Sequence, residues 1–447
     1  MKDKFIERPR GFCALGGALH TLVALPGVVP IMHTSMGCGG SIYWNQIGST
    51  GFLGAGYCGG MAVPSSNVQE KDIIFGGTDR LTEQVKNTVK IVDGQLYFVI
   101  TGCMTDIIGD DIQAVIKDFQ DQGISIIGTE TGGFKGDGYK GYDLVLQALV
   151  KEYVTKKQRK SKGKVNLWGI VPAQDAFWRG NINIIRELLT SLGLQVNAFF
   201  TEHDSLSELE NAGDAELNIV VSEFYGIEAA KTFAEVHDVP YLATAFPIGP
   251  TATNEFLQKV AQKLSLDSAQ VNAVIEQGEA LYYRYVERIA DSYNDLNLQR
   301  YAVVVGDGNY APALTRFLAD DLGWLPALTV VTQNFFDEQQ EMINQYLTRL
   351  SSGYQTQVVF ETDASEVQYH LNRIWPRYQG QNYYDPFSPA FVVGSHHERE
   401  LAQNIGAAHL TVTYPVGNRV VLNRGYAGYT GSLSLIEDLF SVLVASR

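Results

Sequence analysis

Charge is scarce in this chain, and one long segment has none. Asp, Glu, Lys and Arg make up 19% of the 447 residues, against about 25% in typical soluble domains. No charged residue occurs from Gly11 to Gln69, a stretch of 59 residues that contains 13 glycines. A segment of this kind does not suit a solvent-facing surface. We therefore expect it to be buried and to contribute to a subunit interface, with its glycines lining an apolar pocket for a cofactor.

Basic residues, cysteines and uninterrupted apolar runs are also few. The 34 basic residues face 49 acidic ones, and the net charge of −15 disfavours a nucleic-acid or anionic-membrane surface. Four cysteines do not make a secreted disulfide scaffold. The N-terminus has no apolar signal core, and the most apolar stretch, residues 11–32, is interrupted by His20, Pro26 and several glycines. We predict a cytoplasmic protein that binds neither nucleic acid nor a membrane.

Apolar segments of strand length alternate with amphipathic segments of helix length, an order typical of parallel α/β sheets. A basic stretch, residues 156–162, predicts an exposed linker after the first such unit. We therefore predict an α/β fold of three doubly wound Rossmann-like domains with parallel sheets, at residues 1–160, 161–298 and 299–447. In the first domain, strands are predicted at residues 28–33, 72–75, 95–101 and 124–127, and helices at residues 79–91 and 107–122.

The same alternation continues through the other two predicted domains. In the second, strands are predicted at residues 165–171, 195–200, 218–222 and 241–244, with helices at residues 181–192 and 268–296 and a third helix ending at His237. In the third, strands are predicted at residues 301–306, 327–331, 358–361, 390–393 and 411–413, with helices at residues 311–322 and near 339–350. Open sheets of this type bind ligands outside the carboxyl ends of their strands.

Two cysteines follow predicted strands of the first domain. Cys38 comes after residues 28–33 and Cys103 after residues 95–101, while Cys13 lies close to a glycine pair. No C-x-x-C spacing occurs, which excludes a zinc ribbon and a thioredoxin motif. A single cysteine is most often a small buried hydrophobe, but three thiolates without a charged neighbour in sequence need a metal to stabilise them. Three cannot complete a four-thiolate site, so a fourth ligand or a mirrored set from another chain is required.

At these residues the chain resembles the component 1 proteins of nitrogenase and the nitrogenase-like reductases. The matching segments are RPRGFCALGGAL around Cys13, HTSMGCGGS around Cys38, EKDIIFGG at residues 70–77, ITGCMTDIIGDD at 100–111, GGFKGDGYKGYD at 132–143 and FPIGPTATNEF at 246–256. The resemblance implies an α2β2 assembly with a homologous alpha-like subunit. It also implies that Cys13, Cys38 and Cys103 hold an iron–sulfur cluster, an [8Fe-7S] P-cluster or a [4Fe-4S] cluster, shared with that partner. Electrons would come from a separate ATP-dependent iron protein.

The same comparison indicates a beta-like chain whose role is electron relay. Ala230 stands where an alpha-type chain carries a cysteine for the active-site cluster, and no histidine follows His409. Two departures are evident. Gly133 occupies the place of a serine that can add to the P-cluster in beta chains, and Cys58 has no counterpart, so we expect Cys58 to be a core residue. Catalytic residues stay unassigned in this chain.

Alternatives of function remain open. The chain is either a reductase subunit or a cofactor-assembly scaffold that holds an iron–sulfur precursor without turnover. A reductase of this kind acts on dinitrogen, methylthio-alkanes or tetrapyrroles, and the sequence does not choose among them. A weaker alternative is a cluster-free α/β protein that binds a sugar or nucleotide.

Four further features have mainly structural interpretations. The run at residues 303–308 lacks the third glycine of a dinucleotide fingerprint, which favours a structural turn. His396 and His397 follow a predicted strand, but neighbours on an extended chain point apart and disfavour a metal pair. Asp110 and Asp111 are predicted to cap a helix, and the residues at 43–44, Tyr and Trp, to pack over a cluster or against a partner chain.

Overall fold

The structure is a computed structural model, and it describes residues 5–40, 42, 63–291, 293, 298, 300–375 and 387–445. Contacts divide the chain into two compact units. The cysteine unit comprises Gly11–Ile182 and Gly193–Ala243, and the C-terminal unit comprises Met1–Arg10, Asn183–Leu192 and Thr244–Arg447. The predicted domain boundaries at residues 160 and 298 stay a prediction. Across the described ranges, no helix combines the length and apolar character needed to cross a membrane.

The cysteine unit contains two parallel sheets in its described part. The first has the order β1-β2-β3, with β2 in the centre and buried at every residue. Its sequence LYFVIT is apolar on both faces, as a central parallel strand requires. The second sheet has the order β5-β4-β6-β7. The strands are β1 (Val28–His33), β2 (Leu96–Thr101), β3 (Ile126–Thr129), β4 (Ser161–Trp168), β5 (Gln195–Asn197), β6 (Ala215–Val220) and β7 (Tyr241–Ala243).

The first sheet packs its apolar side chains against two helices, α3 and α5. The core there joins Ile31 of β1 and Val99 of β2 to Leu81 and Val85 of α3 and Ile116 of α5. The helices up to residue 237 are α1 (Ala14–Val23), α2 (Glu70–Phe75), α3 (Thr78–Ile91), α4 (Cys103–Ile108), α5 (Ile112–Gln120), α6 (Gly138–Glu152), α7 (Trp178–Ser191), α8 (Leu206–Glu210) and α9 (Ile227–His237).

Glycines bring helices α1 and α6 unusually close together. A Cβ atom on Gly17 would lie 1.9 Å from the carbonyl oxygen of Gly138, and one on Gly141 would lie 2.0 Å from the carbonyl oxygen of Ala14. Neither contact could tolerate a side chain, so the backbones themselves form the interface. Helix α1 is buried from Ala14 to Leu22, and this burial explains why that part of the uncharged segment carries no charged residue.

The C-terminal unit contains a five-stranded parallel sheet of order β10-β9-β8-β11-β12 in its described part. The strands are β8 (Tyr301–Gly306), β9 (Leu325–Val331), β10 (Gln357–Phe360), β11 (Ala390–Gly394) and β12 (Ala408–Thr411). The helices are α10 (Gly249–Leu264), α11 (Ser268–Val286), α12 (Tyr310–Arg316), α13 (Asp337–Thr348), α14 (Val367–Ile374), α15 (Arg399–Ile405) and α16 (Gly428–Ala445). The predicted α/β class with parallel sheets is therefore confirmed.

Several predicted elements were wrong. The strand predicted at residues 72–75 is the end of helix α2, whose start is fixed by a capping box between Gln69 and Asp72. The helix predicted at residues 107–122 is two helices, because Gly109 adopts a left-handed conformation with φ +76° and ends α4. The linker predicted at residues 156–162 runs into β4, which begins at Ser161. The sequence predicts no helix at the positions of α1, α6, α8, α10, α14, α15 and α16.

Candidate functional site

Two of the predicted cysteines leave the same edge of the first sheet. Strands β1 and β2 are parallel, and their last residues, His33 and Thr101, lie side by side. After β1 the chain carries Cys38 within helical residues 36–40, and after β2 it carries Cys103 as the first residue of α4. Between them, a Cβ atom on Gly102 would lie 2.0 Å from the hydroxyl oxygen of Thr34, so glycine is required for this approach.

A glycine-rich loop brings Cys13 to the same place. This loop, Gly132–Asp137, leads into helix α6, and Cys13 immediately precedes helix α1. The amide of Ala14 donates to the carbonyl oxygen of Gly136 at 2.9 Å, and Cys13 forms an isolated β-bridge with Asp137. The close packing of α1 on α6 therefore fixes Cys13 against the loop.

The three cysteines line one open cavity of about 320 Å³. Cys13 and Cys103 are exposed and Cys38 is half-buried. No described residue of the cavity wall is charged, as expected for a pocket built largely from the uncharged segment. The remaining described lining residues are Gly11, Phe12, Leu15, Gly16, Ser35, Gly37, Ile42 and Gly133.

Gly133 lies close to two of the sulfur atoms. Its amide donates a hydrogen bond to the Sγ atom of Cys103 at 3.1 Å. A Cβ atom on Gly133 would lie 3.1 Å from Cys103 Sγ and 3.3 Å from Cys13 Sγ, so these sulfurs are no farther apart than the sum of those distances. No hydroxyl exists at position 133. The hydroxyl of Ser35 lies 3.8 Å from Cys38 Sγ instead.

The donor set fits a group of several metal atoms better than a single ion. Among the described residues, no three His, Cys, Asp or Glu side chains are grouped closely enough to hold one metal ion. An iron–sulfur cluster takes one thiolate on each of several iron atoms, so its ligands are spread around a cavity. A backbone N–H group directed at one sulfur is also the kind of contact that surrounds such clusters.

Two buried histidines flank the site, and neither was assigned a role from the sequence. His33 is bonded through Nε2 to Asp110 and through Nδ1 to Ser66, both at 2.9 Å. Burial lowers the pKa of His33, and the neighbouring Asp110 partly offsets this effect. His20 packs edge-on against Phe12, a residue of the cavity wall, with 4.3 Å between ring centroids. Complete burial lowers the pKa of His20 to about 3.

The remaining predicted residues have the following positions. Cys58 and the aromatic pair at 43–44 lie outside the described residues. Asp111 caps α5 as predicted, whereas Asp110 does not cap that helix: it accepts from Gly77 and bonds to His33. Ala230 is buried in α9.

In the C-terminal unit, the backbone amides of the glycine-rich turn after β8 donate hydrogen bonds to side chains of the same unit. Asp307 accepts from the amides of Asn309 and Tyr310, and Gln333 accepts from Gly308. These are the amide groups that a phosphate would need, so the structural interpretation of this turn is favoured. His396 and His397 form part of a short turn, residues 396–398.

Comparison with known proteins shows a similarity over nearly the whole chain. A family model described as nitrogenase component 1 type oxidoreductase matches residues 13–443. A nitrogenase molybdenum-iron protein beta chain of Bradyrhizobium diazoefficiens is 24% identical, covering 98% of this chain and 84% of the relative. The nitrogenase iron-molybdenum cofactor biosynthesis protein NifE of Clostridium pasteurianum is 27% identical, covering 96% and 86%. A solved structure titled nitrogenase Cp1 at pH 6.5 superposes with a TM-score of 0.81 at 20% identity, covering 100% of this chain and 94% of that one.

Proposed function

The chain belongs to the nitrogenase component 1 type oxidoreductase family, and from that premise we propose that it is the beta-like subunit of a nitrogenase-like reductase. One observation carries the proposal. Three cysteines from separate parts of the chain line a single open, uncharged cavity, and one of their sulfurs accepts a backbone hydrogen bond. Ala230, at the position where an alpha-type chain would supply a cysteine, supports the beta-like assignment.

In this proposal Cys13, Cys38 and Cys103 hold an iron–sulfur cluster whose other ligands come from a homologous alpha-like subunit. When bound, the cluster accepts and passes on single electrons. The chain itself supplies the thiolates, excludes charged groups from the cavity wall and directs the Gly133 amide at one sulfur. Electrons would enter from an ATP-dependent iron protein and leave toward an active site in the partner subunit.

Exposed apolar side chains close in sequence to the cysteines, and on helix α2, which packs against α4, support a protein partner at this face. Phe75 at the end of α2 is 86% exposed, Ile107 on α4 is 74% exposed and Met36, two residues before Cys38, is 70% exposed. Phe134, next to Gly133, is 61% exposed. Several large apolar residues around one site are typical of a protein–protein interface rather than of ordinary scattered exposure.

Iron and sulfide analysis of anaerobically purified protein tests the cluster. We expect both elements in the wild-type chain purified with its partner subunit, and their loss from Cys38→Ala and Cys103→Ala. Cys58→Ala is the matched control and should keep them. Absence of iron and sulfide from the wild-type complex would overturn the proposal, and loss of iron from Cys58→Ala would show that the ligand set is wrong.

A second candidate is a cofactor-assembly scaffold, and the similarity to NifE over 96% of this chain favours it specifically. A scaffold would keep the cysteine site but transfer its cargo rather than turn over. Electron paramagnetic resonance together with steady-state turnover in the presence of an iron protein separates the two. A bound cluster with reduction of dinitrogen, a methylthio-alkane or a tetrapyrrole supports the reductase, whereas a bound cluster without any of these activities supports the scaffold.

A further inference from the structure

We propose that Asp106 and Lys135 are positioning residues that set the reduction potential of the cluster through the hydrogen bond from Gly133 to Cys103. This inference rests on the proposed function, since it concerns the group held at Cys103. The pair does not touch the cavity. It holds the loop that delivers the amide donor, and its effect should therefore be seen in the potential of the cluster rather than in the ligand set.

Asp106 is a buried carboxylate on the helix that begins at Cys103. Its side chain is 3% exposed, and its Oδ2 atom accepts from the amide of Gly132 at 2.9 Å. The Oδ1 atom is buried and has no hydrogen-bond partner within the described ranges. A Cβ atom on Gly132 would lie 2.5 Å from Asp106 Oδ2, so the loop approaches the carboxylate as closely as glycine allows.

Lys135 supplies the charge that a buried carboxylate requires. Its Nζ atom lies 3.4 Å from Asp106 Oδ2 and 2.6 Å from Glu130 Oε2. Burial by itself would lower the pKa of Lys135, but the hydrogen bond to Glu130 and the charge of Asp106 outweigh burial and raise it. The ammonium group therefore stays charged and stabilises the contact between α4 and the loop.

The consequence for the sulfur follows from chain connectivity. Gly132 is held by Asp106, and the next amide, that of Gly133, points at Cys103 Sγ. Cys103 and Asp106 lie on the same helix, one turn apart. A hydrogen bond to a thiolate sulfur stabilises the reduced, more negative state of a cluster and raises its potential. Releasing the loop should therefore lower the potential.

Two substitutions of Asp106 separate the loop contact from the charge. Asp106→Asn and Asp106→Ala remove the same negative charge, but only the asparagine keeps an oxygen that can accept from the Gly132 amide. We expect the midpoint potential of Asp106→Ala to be the lower of the two. At a fixed solution potential its ratio of oxidised to reduced cluster should be about tenfold higher, which corresponds to 59 mV for a one-electron couple.

The matched control is the same pair of substitutions at Asp111, the exposed cap of α5. Asp111→Asn and Asp111→Ala should have equal potentials, measured by redox titration followed by electron paramagnetic resonance of the intact complex. Equal potentials for the two Asp106 variants would overturn the inference. So would an Asp111 pair that differs by as much as the Asp106 pair, because the effect would then not depend on the loop.

A second measurement does not need the cluster. Amide hydrogen exchange in the segment containing Gly132 and Gly133 should be fast in Asp106→Ala and slow in Asp106→Asn and the wild type. Unchanged protection in Asp106→Ala would refute the holding role even if that variant fails to retain iron. A wild-type complex without iron would instead refute the proposed function, so the two failures are distinguishable.

Discussion

Substitution of Gly141 by alanine tests the helix crossing that places Cys13. The added Cβ would lie 2.0 Å from the carbonyl oxygen of Ala14, and 2.6 Å from the amide nitrogen of Ala18. Both atoms belong to the backbone of α1, so no rotation of a side chain relieves the contact. Ordinary van der Waals separations are about 3.5–4.0 Å, so α1 must move away from α6.

Two opposing effects decide the magnitude. Alanine in a helix interior is intrinsically better than glycine by about 1 kcal/mol, which favours the variant. Overpacking in a well-packed core typically costs about 1–3 kcal/mol and sometimes more. A contact of 2.0 Å with backbone belongs at the upper end of that range, so we expect a net loss of about 1–2 kcal/mol. For domains of 150–250 residues, 1 kcal/mol corresponds to roughly 2–4 °C in Tm.

The assay combines thermal unfolding with iron analysis. Gly141→Ala should unfold at a lower temperature and retain less iron, because a shifted α1 carries Cys13 away from the loop. Gly40→Ala is the control: it adds the same methyl group outside the cavity wall, where no described atom lies within 4 Å of the new Cβ. A Gly141→Ala protein that is as stable as the wild type, with a full complement of iron, would refute the close crossing of α1 and α6.

Three further predictions concern titration and the turn at Cys103. The pKa of His20 is about 3 in the fold against 6.5 unfolded. As the pH falls, His20 is protonated in the unfolded chain before it is protonated in the fold, so the free energy of unfolding should decrease from pH 6.5 toward pH 3, by about 2 kcal/mol at pH 5. His20→Leu should make Tm less dependent on pH over this range. A variant whose Tm depends on pH as strongly as that of the wild type would contradict this prediction. Burial raises the pKa of Asp143 to about 6 from 3.8, so the wild type should lose stability relative to Asp143→Asn as pH rises from 4 to 6, by about 2 kcal/mol. A Tm difference between the two proteins that stays constant over this range would contradict the reasoning. Gly102→Ala should displace Cys103 and reduce the iron content, since the new Cβ would lie 2.0 Å from the Thr34 hydroxyl oxygen. An iron content equal to that of the wild type would contradict this prediction.

The parallel strands could be predicted because a strand that is buried on both faces of a sheet has a continuous run of apolar residues. Strand β2 is a continuous apolar run, and no competing local signal interrupts it. The run Asp72–Phe75 looks similar but is too short to distinguish a strand from a helix. There the capping box at Gln69 decides for a helix, whose last two residues, Ile74 and Phe75, face solvent. A short apolar run therefore does not by itself show that its residues are buried in the fold.

Part of the site could also be predicted, for a topological reason. Parallel strands end at one edge, so residues after β1 and β2 must approach each other, and this brings Cys38 and Cys103 together. The position of Cys13 depends instead on contacts between glycines of α1 and α6, more than a hundred residues apart in sequence. The sequence does not distinguish a glycine that lets another backbone segment pack closely against it from a glycine that forms a turn. The same holds for Gly133, whose amide donates to Cys103 and which lies outside the uncharged segment.

In the proposed function, the open side of the cavity would link cluster binding to subunit assembly. Two of the three cysteines are exposed, and the described cavity wall offers no cation to stabilise a thiolate. Two large exposed apolar residues, Phe75 at the end of α2 and Ile107 on α4, are also unfavourable in water. One protein surface that brings thiolate ligands and apolar cover relieves both costs at once. Cluster retention and subunit association should therefore be a single coupled equilibrium, in which each stabilises the other by the same free energy.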